Sequence, residues 1–147
     1  MFVDSDDLVS ATFFLKNTGK YKLKVIKYAN YKALPDLKRA DVDRNYERHT
    51  IGFKPLSWRD HNELRRVCVH INTDTGMREM DYDKYVIEKL RRVLRSWDFT
   101  IKNEDDQDVP MPCTPENIDM LHPQLAEFIL ELYDAEMELS QDELKKS

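Results

Sequence analysis

An α+β fold is predicted by three features of this 147-residue chain. Lysines alternate with apolar residues beside a Gly-containing turn near the N-terminus, the period of a half-buried strand. Apolar residues recur at steps of three and four between positions 86 and 97, and again between 125 and 132, the period of a helix face. Serine, threonine, aspartate and proline stand where those helices would begin. The expected architecture is an N-terminal β-hairpin region with a linker over 1–50, followed by a small mostly helical domain over 51–137. That domain would hold three or four amphipathic helices, with a frayed polar tail over 138–147.

Residues 1–10 are acidic and read as a loose arm. Thr12-Phe13-Phe14-Leu15 and Tyr21-Lys22-Leu23-Lys24-Val25-Ile26 then form two strands around the turn Asn17-Thr18-Gly19-Lys20. Lys20, Lys22 and Lys24 take one face of the second strand, and Tyr21, Leu23 and Val25 the other. Between 31 and 50 charges of both signs crowd together, which reads as a loop or a short exposed helix.

Residues 51–56 make a brief extended piece, and Ser57 caps a helix predicted over 58–71, with Leu64, Val67, Cys68 and Ile71 on its apolar stripe. The turn Asn72-Thr73-Asp74-Thr75-Gly76 ends it. Asp81 is the expected N-cap of the clearest helix, whose stripe is Val86, Leu90, Val93, Leu94 and Trp97. Its polar side carries Lys84, Lys89, Arg91, Arg92 and Arg95, the last three where the helix dipole favours cations. Pro110 and Pro112 impose an extended connection. Thr114 and Pro115 then open a short helix with Glu116 in its first turn. Pro123 opens the last helix, in which Leu125, Phe128, Ile129 and Leu132 repeat with Tyr133 alongside. The predicted core is Trp58, Leu64, Leu90, Leu94, Trp97, Phe128 and Leu132.

Composition narrows the function classes. Hydrophobic residues make up 41% and charged residues 35%, so a core can form beneath a strongly hydrated surface. No apolar run approaches the ~18 residues of a membrane span, and the opening residues lack the basic start and apolar stretch of a signal peptide. A cytosolic protein is expected. Three glycines leave no material for a phosphate-cradling loop, and two cysteines no disulfide framework. The net charge of −5 conceals an asymmetry: residues 1–100 carry 20 Lys+Arg against 15 Asp+Glu, and residues 101–147 carry 3 against 13. The acidic third works against polyanion binding.

The chemistry-bearing residues do not form a site. His49, His61, His70, His122, Cys68 and Cys113 lack the paired spacing of a zinc centre, so no metal and no cofactor are expected. Cys68 falls on an apolar stripe and reads as a structural cysteine, and the acid pairs are accounted for by capping or solvation. No catalytic residue is predicted. Basic residues between Lys20 and Lys32 interleave with Tyr21, Tyr28 and Tyr31, the raw material of a stacking surface for nucleic acid. The hairpin needs those tyrosines to cover apolar surface, and the acidic third opposes polyanions, so nucleic acid is disfavoured. Protein–protein interaction remains, with Phe128, Ile129, Leu132 and Tyr133 as anchors and core packing of the same face as the competing use.

The order of elements resembles a known family. The stretches Phe53-Lys54-Pro55-Leu56-Ser57-Trp58-Arg59-Asp60, Met80-Asp81-Tyr82-Asp83-Lys84-Tyr85 and Leu94-Arg95-Ser96-Trp97-Asp98-Phe99 come first. Val109-Pro110-Met111-Pro112-Cys113-Thr114-Pro115-Glu116-Asn117-Ile118 and Leu121-His122-Pro123 follow. In that order they resemble the tail assembly chaperones of long-tailed bacteriophages over roughly residues 51–135. The resemblance implies a non-enzymatic protein that binds the aggregation-prone tape measure protein and recruits tail tube subunits in the host cytoplasm. It implies partner-binding residues among Trp97, Leu125, Phe128, Ile129, Leu132 and Tyr133, no cofactor, and leaves a homo-oligomer open. The Lys-rich N-terminal third and Cys113 depart from the family pattern. They keep open the alternative of a permanent tail or baseplate subunit, located in the virion.

Overall fold

Strands β1 (Val9–Gly19) and β2 (Lys22–Lys27) form the expected N-terminal hairpin, with Phe14 opposite Ile26 and Lys16 opposite Lys24. The computed structural model describes residues 8–19 and 22–146, with side chains described to residue 137. Lys22 and Lys24 are exposed and Leu23 and Val25 half-buried, as the alternation requires. Lys20, Tyr21 and most of the expected N-terminal arm lie outside the described residues, as do the side chains of the expected tail.

Helices α1 (Tyr28–Lys32) and α2 (Asp36–Asn45) follow, the second inside the stretch 31–50 read as a loop or short exposed helix. Strand β3 (Glu47–Phe53) returns antiparallel along β1, with Ala11 opposite Ile51 and Phe13 opposite His49. The boundary expected between residues 50 and 51 falls inside this strand. The fold is mixed α/β, built on a four-stranded antiparallel sheet of order β2-β1-β3-β6, where β6 is Leu94–Trp97.

Helix α3 (Trp58–Cys68) begins at the predicted cap, the Ser57 hydroxyl accepting from the Asp60 N–H at 3.2 Å. It ends three residues early. Val69, His70 and Ile71 form strand β4 (Val69–Ile71), which pairs with β5 (Arg78–Met80) across the predicted turn. Gly76 has φ +71° there, a left-handed conformation that suits glycine. Helix α4 (Tyr82–Val93) starts at Asp81, whose carboxylate accepts from the Lys84 N–H at 3.1 Å.

The predicted stripe of that helix is a composite. Val86, Leu90 and Val93 are helical, but Leu94 and Trp97 belong to β6 (Leu94–Trp97), which follows with no intervening turn. Leu94 pairs with Phe53, Ser96 with Gly52 and Trp97 with Ile51, and the register shifts between the first two pairs. One extra residue, Arg95, is therefore accommodated. That bulge places Leu94 and Trp97, three apart, opposite two residues of one strand face. A three-residue spacing in a bulged strand is indistinguishable from a helical step in sequence.

After Phe99 comes a second small hairpin of β7 (Thr100–Lys102) and β8 (Asp108–Pro110), which takes in Pro110 of the segment read as an extended connection. The Asn103 side-chain oxygen accepts from the N–H groups of Asp105 and Gln107, both at 2.9 Å, and so shapes the turn. Helix α5 (Pro115–Asp119) is capped by the Thr114 hydroxyl, which accepts from the Asn117 N–H at 3.3 Å. Helix α6 (Pro123–Lys146) follows.

One core holds these elements together. Ala11, Phe13, Ile51 and Phe53 of the sheet pack with Leu90, Val93, Leu94, Ile118 and the α6 stripe. On the opposite face of β1, Phe14 is buried against Tyr31 of α1, ring centroids 4.3 Å apart. Trp58, predicted to be core, is instead 83% exposed at the first position of α3, because the helix turns Leu64 and Cys68 inward and Trp58 onto the outer face. The edge of β2 is blocked by α6: the Gln124 amide donates to the Leu23 carbonyl at 2.7 Å, and its oxygen accepts from the Leu23 N–H at 3.1 Å. The side chain thus completes the ladder as a neighbouring strand would.

Candidate interaction surface

The residues expected to bind a partner are core residues. Leu125, Phe128, Ile129, Leu132 and Tyr133 are all buried, and Trp97 is half-buried. Helix α6 lays this stripe on the sheet: Phe128 meets Phe13 edge-to-face at 5.4 Å, and Tyr133 meets Phe53 at 5.5 Å. The Tyr133 hydroxyl accepts from the Leu56 N–H at 3.3 Å, and burial pushes its pKa up. The Trp97 indole N–H donates to the Met111 carbonyl at 2.5 Å, tying β6 to the proline segment. This set is therefore corrected from docking face to internal packing, because the sheet supplies the apolar surface the stripe requires.

The same packing consumes much of the basic cluster on α4. Lys89 pairs with Asp134 of α6 at 3.0 Å and lies near the rings of Tyr85 and Tyr133. Arg91 pairs with Asp119 and with Glu88, and Arg92 with Glu88 at 2.6 Å. The hydrogen bond from Arg91 holds the Asp119 carboxyl below the usual carboxylate range. The acidic C-terminal helix thus folds against the basic helix of the same chain.

Of the tyrosines weighed as a stacking surface, Tyr28 and Tyr31 make contacts within the chain, and Tyr21 lies outside the described residues. Tyr31 packs on Phe14 and donates its hydroxyl to Asp43 at 2.6 Å, which with burial raises its pKa. Tyr28 is covered by Lys32 and Arg48, whose charges lie 4.9 and 5.6 Å from its ring centre. His49 is braced on both sides, Nδ1 at 2.8 Å from Asp98 and Nε2 at 3.2 Å from Glu47, between the rings of Phe13 and Phe99. Both ring nitrogens face carboxylates, so the cluster ties β3 to the start of the β7–β8 hairpin. Cys68 and Cys113 are free thiols whose pKa values burial pushes up. Among the described residues no group of three His, Cys, Asp or Glu is placed to hold a metal ion.

The surface with unmet chemistry lies elsewhere, where α3 runs into the β4–β5 hairpin. An open cleft of about 760 Å³ is lined there by Asn62, Arg65 and Arg66 of α3 with Val69, Ile71, Arg78 and Met80 of the hairpin. Val69 pairs with Met80 and Ile71 with Arg78, so these four side chains share one face of the ribbon. Ile71 is 65% exposed, and Val69 and Met77 are also exposed. A two-stranded ribbon with three residues in each strand has little stability of its own in water. On α3, Trp58, Asn62 and Arg65 follow at steps of four and three, which places the exposed indole in line with the cleft.

The arginines of the cleft add unpaired charge. Among the described residues Arg65, Arg66 and Arg78 form no ion pair, whereas the cleft's acid, Glu79, is 3.6 Å from His70 and accepts from Asn72 at 2.9 Å. The helix dipole rationalises Arg65 and Arg66 in the last turn of α3, but not Arg78 on the strand. Sequence reasoning missed this surface by extending the helix through Val69 to Ile71, with Ile71 on its apolar stripe. The signal was present in their alternation about His70, just before an Asn-Thr-Asp-Thr-Gly turn.

No family model matches the chain, and no curated protein or solved structure matches it either. Among the described residues no helix is long and apolar enough to cross a membrane.

Proposed function

We propose that this protein is a non-enzymatic tail assembly chaperone of a long-tailed bacteriophage, binding the tape measure protein and tail tube subunits in the host cytoplasm. The observation that carries the reading is the exposed apolar and basic cleft between α3 and the β4–β5 hairpin. An aggregation-prone helical partner needs its apolar stripes shielded, and an apolar surface rimmed by polar groups is the complementary shape. The motif order also supports it, since Ser57, Asp81 and Thr114 cap the helices that the resemblance requires. In this reading α3, α4, α5 and α6 are the chaperone's helical core, and the sheet is the frame that orients them.

The test is co-expression of the tagged protein with the tape measure and tail tube proteins encoded by the same phage, with purified particles analysed in parallel by mass spectrometry. Capture of the tape measure protein, with the chain absent from particles, is the expected result. Stoichiometric presence in particles would make the protein a permanent tail or baseplate subunit, and capture of nucleic acid alone would sink both tail readings.

A further inference from the structure

We propose that the cleft between α3 and the β4–β5 hairpin selects an acidic amphipathic segment of its partner, seating apolar side chains on Val69, Ile71 and Met80 and carboxylates on Arg65, Arg66 and Arg78. The inference deepens the chaperone reading and rests on its claim that the protein works by binding another chain.

Three observations choose this chemistry. The floor is apolar and exposed, on a ribbon too short to justify that surface by its own packing. Three guanidinium groups lie around it without an ion pair among the described residues, while the neighbouring Arg91 and Arg92 are paired. The one carboxylate lining the cleft, Glu79, is already held by His70 and Asn72 and does not neutralise them. Guanidinium groups bind carboxylates in a two-pronged geometry, so charge sets which partner is accepted and apolar contact supplies most of the affinity. Trp58, in line with the cleft on α3, extends the apolar contact by one helical turn or more. A polyanion would meet the same arginines without placing aliphatic side chains on Ile71, Val69 and Met80.

The experiment uses the full chain and fluorescence anisotropy with defined synthetic probes. One is a helical peptide of ~20 residues with a leucine stripe flanked by glutamates, and the second replaces every glutamate by lysine. The third keeps the glutamates and replaces the leucines by serine, and the fourth is a single-stranded oligonucleotide. The acidic amphipathic peptide should bind at least roughly tenfold tighter than its lysine twin and lose affinity with added salt. The Arg65→Glu, Arg78→Glu double variant should reverse that preference, and Ile71→Asp should abolish binding, both with unchanged circular dichroism. Ile71→Ser serves where Ile71→Asp perturbs the fold.

Equal binding of the two charged peptides overturns the proposal. So does equal binding of the serine probe, or an arginine-dependent preference for the oligonucleotide. If the arginine variant captures the tape measure protein as the wild type does, the cleft is the wrong site and the chaperone reading stands. Charge-selective peptide binding without capture of the tape measure protein leaves the cleft supported and removes the chaperone reading.

Discussion

Truncating Phe128 to alanine separates the two uses its stripe was weighed for, docking and packing. The side chain is 6% exposed and meets Phe13 edge-to-face with ring centres 5.4 Å apart. Removing a buried phenylalanine costs about 3–5 kcal/mol, the transfer term plus the cavity left between sheet and helix. The edge-to-face aromatic pair places Phe128 in the middle of that range or above it. A protein of this length loses its fold with an entropy of about 0.3 kcal/mol per degree, from ~2.1 cal/mol/K per residue, so about 4 kcal/mol lowers Tm by about 13 °C. That is a large fraction of the 5–15 kcal/mol typical of natural stability. The assay is thermal unfolding by circular dichroism, with Trp58→Ala as the control: an aromatic 83% exposed, whose loss should change stability by no more than about 0.5 kcal/mol. A Phe128→Ala protein melting within about 2 °C of wild type, yet unable to capture a partner, would refute the packing argument and restore Phe128 as a docking residue.

Two further outcomes follow from particular contacts. Gln124→Ala removes both hydrogen bonds that close the outer edge of β2 at Leu23, at a cost of roughly 1–2 kcal/mol for the pair. Hydrogen exchange at the Leu23 amide should speed up and self-association should rise as the edge opens, and unchanged exchange would show that Gln124 does not seal it. Asp119 has its pKa lowered by its hydrogen bond to Arg91, so its contribution is whole above the ordinary carboxylate value of about 3.9 and fades as the pH falls through its folded value. Asp119→Asn should therefore lower the urea midpoint at pH 6 and narrow its gap to wild type as the pH drops below about 4. A gap that stays constant with pH would assign the loss to something other than this ion pair.

The strands and helices that local chemistry can specify were legible in the sequence. The Lys/apolar alternation predicted β2, and the caps at Ser57, Asp81 and Thr114 were read correctly because a side-chain oxygen two or three residues from a free N–H is a local event. Two of the errors share one form. Val69 and Ile71 were given to a helix, and so were Leu94 and Trp97, at the two places where a helix runs directly into a strand. The chain offers no glycine or proline there, and the spacing fits both conformations. Pairing decided it, because Leu94 and Trp97 find Phe53 and Ile51 across a bulge that sequence does not display.

The functional reading divides along the same line. Composition and spacing supplied no catalytic or metal constellation, and motif order supplied a candidate family. They also picked out the apolar stripe of α6, since helical periodicity marks which residues seek an apolar neighbour. They could not identify that neighbour. Burying Leu125, Phe128, Ile129, Leu132 and Tyr133 required the sheet to bring residues more than a hundred positions away against the helix, with Gln124 reaching Leu23 at its edge. The exposed chemistry then fell to the α3 and β4–β5 surface, which has no such neighbour among the described residues. Local pattern encodes what a segment can bury, but which segment is left uncovered depends on all the long-range contacts at once.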